Sequence, residues 1–156
     1  MSLINFKTGN ILDVEKGIIC HSVNHRGVAG GGLAKQIKDA YPEFMDDYLY
    51  NCKNYSFEDI RNSGRVSFYQ VTPLKWIASI FGQDDFRGSG RRTDYYSLYA
   101  GFCTVSAVAL ADNTPVAIPY KIGCGLGGGD WDTVLAMIVK LFSDCSLDVM
   151  IYELPQ

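Results

Sequence analysis

Apolar and polar positions change period several times along the chain, and each change marks a boundary. Leu3–Phe6 alternates briefly and predicts a first strand, closed by the turn Thr8-Gly9-Asn10. Gly17–Val23 (GIICHSV) is a nearly unbroken apolar run, the pattern of a strand covered on both faces. Leu33–Tyr41 repeats apolar residues at helical spacing, Pro42 restarts the pattern, and Glu43–Lys53 reads as a second helix. Arg65–Val71 and Lys75–Phe81 read as strands. Thr93 or Asp94 can cap a long helix running to about Ala111, rich in small residues that suit close packing on a sheet. Pro115–Ile118 predicts a strand, Trp131–Phe142 a helix capped by Asp130, and Leu147–Leu154 a last strand. The order β, β, α, α, β, β, α, β, α, β predicts an α/β fold. We expect a three-layer α/β/α sandwich around a mixed, largely parallel sheet of about six strands.

Two glycine-rich loops interrupt this order, each after a strand and before a helix. The first is Asn24–Gly32 (NHRGVAGGG); the second lies in Ile118–Asp132 (IPYKIGCGLGGGDWD) and holds glycines 123, 125, 127, 128 and 129. Glycine accepts positive φ and leaves the backbone open to a ligand. A strand, such a loop and a helix N-terminus together direct N–H groups at an anion. In open α/β sheets ligands sit beyond the carboxyl ends of strands, so two cradles there suit a phosphate or diphosphate. The P-loop pattern is absent, because no Gly-Lys-Ser/Thr follows. Gly123, Gly125 and Gly128 fit G-x-G-x-x-G, but only 24 residues follow Asp132, whereas the dinucleotide fingerprint opens a first βαβ unit.

Composition narrows the class. With 156 residues, 47% hydrophobic and 20% charged, the chain suits one domain, 1–156, with a packed core. No apolar run is long enough to span a membrane, and no leader peptide is evident at the N-terminus. Five cysteines without C-x-x-C argue against a disulfide framework or zinc site and for a reducing, cytoplasmic setting. No metal or cofactor is expected. A net charge of −3 disfavours non-specific nucleic-acid binding. The one basic cluster, Arg87, Arg91 and Arg92, reads either as a solvated loop or as a contact for a ligand phosphate.

Lys7-Thr8-Gly9-Asn10-Ile11, His21-Ser22-Val23-Asn24, Gly30-Gly31-Gly32-Leu33-Ala34 and Pro119 through Trp131, in this order, resemble a macrodomain, the α/β/α module that binds ADP-ribose. The likeness covers essentially the whole chain. It implies that Asn10 and Ile11 meet adenine, with Asn10 in place of the usual aspartate, and that Asn24 meets the distal ribose. It implies that Gly30, Gly31, Gly32 and Leu33 wrap the distal ribose and diphosphate. Gly123, Cys124, Gly125, Leu126 and Gly127 match the loop whose amides hold the phosphates, and Tyr152 matches an aromatic residue near adenine. A monomer is the family default. The H-S-V-N and G-G-G-L-A segments are similar to those of ADP-ribose 1″-phosphate phosphatases. The I-G-C-G-L stretch is similar to enzymes that remove ADP-ribose from glutamate or DNA bases. Those use a lysine after the fourth strand and an aspartate after G-C-G-L, where this sequence has Gln83 and Gly127. A Schiff base needs an amine, which glutamine lacks, so that chemistry is disfavoured.

The expected function is binding of ADP-ribose and hydrolysis of a derivative, first of all dephosphorylation of ADP-ribose 1″-phosphate. A non-catalytic binding module, or removal of ADP-ribose from modified protein or nucleic acid, are the alternatives. His21 and Asp130 are the catalytic candidates. His21, ending a buried strand, reads either as a satisfied core residue or as an acid or base acting near neutral pH. Asp130 reads either as a helix cap or as a carboxylate that positions water. Gln83 can bond the distal ribose, and Asp84 and Asp85 lie in the same loop. Cys124 sits where a helix N-terminus can lower a thiol pKa, with packing as the other reading. His25 reads as a loop residue.

Overall fold

A computed structural model describes residues 4–155. Six strands form one sheet in the order β1-β6-β5-β2-β4-β3. They are β1 (Ile4–Thr8), β2 (Gly17–Asn24), β3 (Val66–Thr72), β4 (Lys75–Gln83), β5 (Val116–Pro119) and β6 (Val149–Glu153). All neighbours run parallel except β3, which joins β4 as an antiparallel edge. The helices are α1 (Gly32–Ala40), α2 (Phe44–Asn54), α3 (Phe57–Ser63), α4 (Tyr95–Asp112) and α5 (Trp131–Phe142). The fold is the α/β sandwich that the pattern predicts. Leu3, placed in the first strand from sequence, lies outside the described residues.

The central strand β2 shows why the sheet is covered on both sides. Ile18 and Cys20 point into a cluster built with Leu98, Phe102 and Val105 of α4 and Val134, Ile138 and Phe142 of α5. Ile19 and Val23 point the other way, into a cluster with Ile37 of α1, Phe44 and Tyr48 of α2 and Ile60 of α3. Each fully buried side chain of this size contributes roughly 1.5–3 kcal/mol. Helix α4 lies close on the sheet: a Cβ on Gly101 would collide with Ile80.

Helix α3 is absent from the sequence reading. It is short, but its ends carry ordinary punctuation. Ser56 accepts a hydrogen bond from Asp59 N at 3.1 Å, and Gly64 closes the helix in the left-handed region at φ 69°. A 3-10 turn at Ile11–Asp13 is the other addition, begun by Asn10, whose Oδ1 accepts from Leu12 N at 3.0 Å.

Two adjacent parallel strands govern function. After β2 the chain turns to α1 on one face; after β5 it turns to α5 on the other. Their carboxyl ends therefore diverge and leave a crevice, the place where open α/β sheets bind ligands.

Candidate functional site

The crevice is a cleft of about 540 Å³, within the about 300–1,000 Å³ usual for small-molecule sites. One wall is the first glycine loop and the start of α1, including Asn24, Gly30, Gly31, Gly32 and Leu33. The other is the second loop, including Lys121, Gly123, Gly125, Leu126 and Gly127, with Gln83 and Arg92 between them. The backbone N–H groups of Gly30, Gly31, Gly32 and Leu33 donate to no described residue, nor do those of Gly123, Gly125, Leu126 and Gly127. Two such rows of unpaired amides along one cleft are the kind of backbone an anion can engage.

Internal bonds shape the second loop and leave those donors free. Cys124 N bonds Lys121 O at 2.8 Å, Gly128 N bonds Gly125 O at 3.1 Å and Gly129 N bonds Gly123 O at 2.9 Å. The segment after β4 braces it from outside. Arg92 N and Thr93 N both donate to Gly127 O, at 2.8 and 3.0 Å, and Thr93 Oγ1 donates to Gly123 O at 2.6 Å. A Cβ on Gly127 would collide with Thr93 Oγ1 and come within 2.9 Å of Gly123 O. Across the cleft, Leu126 reaches the first loop: its Cδ1 lies 3.3 Å from where a Cβ on Gly31 would stand.

Charge is segregated. On a chain of net charge −3, the cleft is lined by Arg92 and Lys121 and, among the described residues, by no carboxylate. The basic cluster of the sequence divides. Arg87 forks onto Asp85, at 2.8 Å from Nη2 to Oδ2. This guanidinium holds the Asp85 carboxyl well below the usual carboxylate range. Arg91 donates to Thr93 O at 2.8 Å and lies over the Tyr95 ring. Arg92 alone enters the cleft, where it donates to Gly88 O at 2.9 Å and to Leu126 O.

His21 lines the floor but is 1% exposed. Its Nε2 lies 2.6 Å from Ser79 Oγ on the neighbouring strand, and its ring stands edge-on to Phe44. Burial pushes its pKa down from 6.5 to about 3. Of the two readings open from sequence, these contacts favour the core residue, and burial holds the ring neutral. Of its two readings from sequence, Asp130 takes that of the helix cap. Its Oδ2 accepts from Thr133 N at 3.0 Å and from Thr133 Oγ1 at 2.9 Å, so it caps α5, and it is not among the residues lining the cleft. The Cys124 thiol is raised, first by burial and then by the Asp130 charge, contrary to the lowered pKa considered from sequence.

Asn24 lines the cleft, yet its carboxamide is engaged in shaping the first loop. Its Nδ2 donates to Val28 O at 2.8 Å, and its Oδ1 accepts from Arg26 N at 3.0 Å and from Tyr48 Oη at 3.1 Å. Gln83 Oε1 is buried with no hydrogen-bond partner. His25 sits outside the cleft lining, with Nε2 2.7 Å from Tyr55 O. Asn10, Ile11 and Tyr152 share the same end of the sheet but lie outside the cleft lining, as does Cys124. Phe86, Thr93, Tyr120 and Lys121 line it and were not singled out from sequence. Of these, Lys121 was legible as the one cation inside the glycine stretch.

The sequence profile of the Macro domain matches residues 20–138. The chain belongs to the Macro domain family. It is similar to a DNA ADP-ribosyl glycohydrolase of Mycobacterium tuberculosis, 28% identical over 152 residues, 96% of this chain and 42% of that protein. The chain thus spans less than half the length of that relative. It is also similar to an ADP-ribose 1″-phosphate phosphatase of Saccharomyces cerevisiae, 40% identical over 57 residues, which are 35% of this chain and 32% of that one. Among solved structures, the macrodomain of Mycobacterium tuberculosis DarG superposes with a TM-score of 0.81 at 27% identity, covering 100% of both chains.

Proposed function

We propose that this macrodomain binds ADP-ribose in the cleft and hydrolyses an ADP-ribose derivative at the distal ribose. One observation carries the reading: two loops with unpaired backbone N–H groups border a cleft lined, among the described residues, by cations and no carboxylate. A diphosphate between the loops satisfies both rows at once. The first loop, with Asn24 and Gln83, then borders the ribose beyond it.

The relatives order the substrates. The likeness over nearly the full chain is to a protein named as a DNA ADP-ribosyl glycohydrolase, so an ADP-ribosylated base is the first substrate class, released by a route without the Schiff-base lysine that Gln83 replaces. Water adds at C1″, the C1″–N bond breaks with its electron pair going to the base nitrogen, the water's proton passes to that nitrogen, and free ADP-ribose leaves. Among the described residues the lining contains no carboxylate, and its histidine does not titrate near neutral pH. Holding the diphosphate, and so orienting C1″ for attack by water, is therefore what the cleft supplies. Dephosphorylation of ADP-ribose 1″-phosphate stands second. It is favoured by the shorter, higher-identity match, and disfavoured because His21 and Asp130 are committed elsewhere.

Calorimetry with ADP-ribose, followed by turnover assays on an ADP-ribosylated oligonucleotide and on ADP-ribose 1″-phosphate, tests this. We expect ADP-ribose binding and release of ADP-ribose from the oligonucleotide. No heat of binding would remove the reading altogether. Binding without turnover on either substrate would reduce the protein to a reader of ADP-ribose.

A further inference from the structure

Lys121 has a backbone that its side chain does not favour. Residues Pro119–Ile122 form a tight turn at the end of β5, closed by Ile122 N donating to Pro119 O at 3.1 Å. Lys121 holds the third position with φ 62°. With φ positive there and not at Tyr120, this is a type II turn, whose third position calls for glycine. The other non-glycine residue at positive φ, Asn113, is explained locally as the C-cap of α4. Nothing comparable explains Lys121. The chain has glycine at position 123 and again at 125, yet keeps a lysine at the place where glycine fits best. Strain held at a cleft is a pointer to function.

The side chain is free to act. Lys121 is exposed and lines the cleft, and its ammonium has no hydrogen bond or ion pair to a described residue. Its ammonium lies over the face of Tyr120, 5.4 Å from Nζ to the ring centroid, and its charge also acts on the Cys124 thiol. Tyr120 is in turn fixed edge-on against Trp131 at 5.1 Å. The ammonium thus lies over a held ring, two residues before the first free amide of the second loop, Gly123. Arg92, the other cation of the lining, is occupied by the carbonyls of Gly88 and Leu126.

We infer that Lys121 is a specificity-determining residue that binds the diphosphate of the ligand through its ammonium, and that the strained turn exists to present it. The inference rests on the ADP-ribose reading above and adds to it a discrete charge contact beside the backbone cradle. A charge-assisted bond of this kind at a partly exposed site is worth about a tenfold change in affinity.

Three variants test it: Lys121→Met, Lys121→Arg and Lys121→Gly. Calorimetry is run with ADP-ribose and with adenosine, at low and high salt, beside thermal melts. ADP-ribose affinity is expected to fall about tenfold in Lys121→Met and Lys121→Gly and to be largely kept in Lys121→Arg. Adenosine affinity should be unchanged, and the loss should shrink at high salt, where the charge is screened. Lys121→Gly should keep or raise the melting midpoint, since glycine relieves the turn. If the wild-type protein binds no ADP-ribose, the parent reading fails. If the wild-type protein binds and Lys121→Met binds equally well at low salt, this inference fails alone. A fall in adenosine affinity, or a melting midpoint several degrees lower in Lys121→Gly, would show a structural role and also overturn it.

Discussion

At the scale of single residues, the buried histidine carries the clearest consequence. His21 is neutral in the folded protein because burial depresses its pKa from 6.5 to about 3. The unfolded chain takes up that proton near pH 6.5 and the folded chain does not until near pH 3. Stability is therefore complete above about pH 6.5 and is lost as pH falls towards 3, at no more than about 1.4 kcal/mol per pH unit. Denaturant melts of His21→Gln should begin less stable at pH 7 but fall less steeply between pH 6.5 and 4 than the wild type. Parallel slopes would show that His21 is not the group responsible. The same burial predicts no His21 inflection in a turnover profile between pH 5 and 8. Sequence could not decide between the two histidine roles. The deciding facts are Ser79 on the neighbouring strand and Phe44 above the ring, 58 and 23 positions away.

At the scale of elements, the helix ends were the most legible feature. Asp94 and Asp130 both cap as their residue types suggest, accepting from Ser97 N and Thr133 N. Capping also explains why Asp130 does not serve the cleft. Replacing it with alanine should cost about 1 kcal/mol of stability and leave ADP-ribose affinity unchanged, by denaturation and calorimetry. A tenfold loss of affinity would return it to the site. Both glycine loops were legible because strand, glycine and helix follow one another closely. The brace from Arg92 and Thr93 was not, since nothing local links residue 93 to carbonyls 30 and more positions later. Helix α3 was missed although Ser56 and Gly64 mark its ends, because its apolar positions are too few to show a period.

At the scale of the whole molecule, the sheet order makes the site. The sequence predicts interleaved strands and helices but not which strands are neighbours. Only the order β5 beside β2 sets the two loops opposite each other and makes one cleft of two separate turns. The tip of Leu126 then comes near the first loop across that cleft, its Cδ1 3.3 Å from where a Cβ on Gly31 would stand, although Leu126 itself is 74% exposed. An elongated molecule with bulky groups at both ends cannot be threaded beneath such a strap; the clasp has to lift for it to enter and again for it to escape. Trimming the clasp in Leu126→Ala should hasten both entry and escape of ADP-ribose in stopped-flow traces while leaving the equilibrium constant nearly unmoved. Unaltered rates would mean that the strap opens too readily to matter.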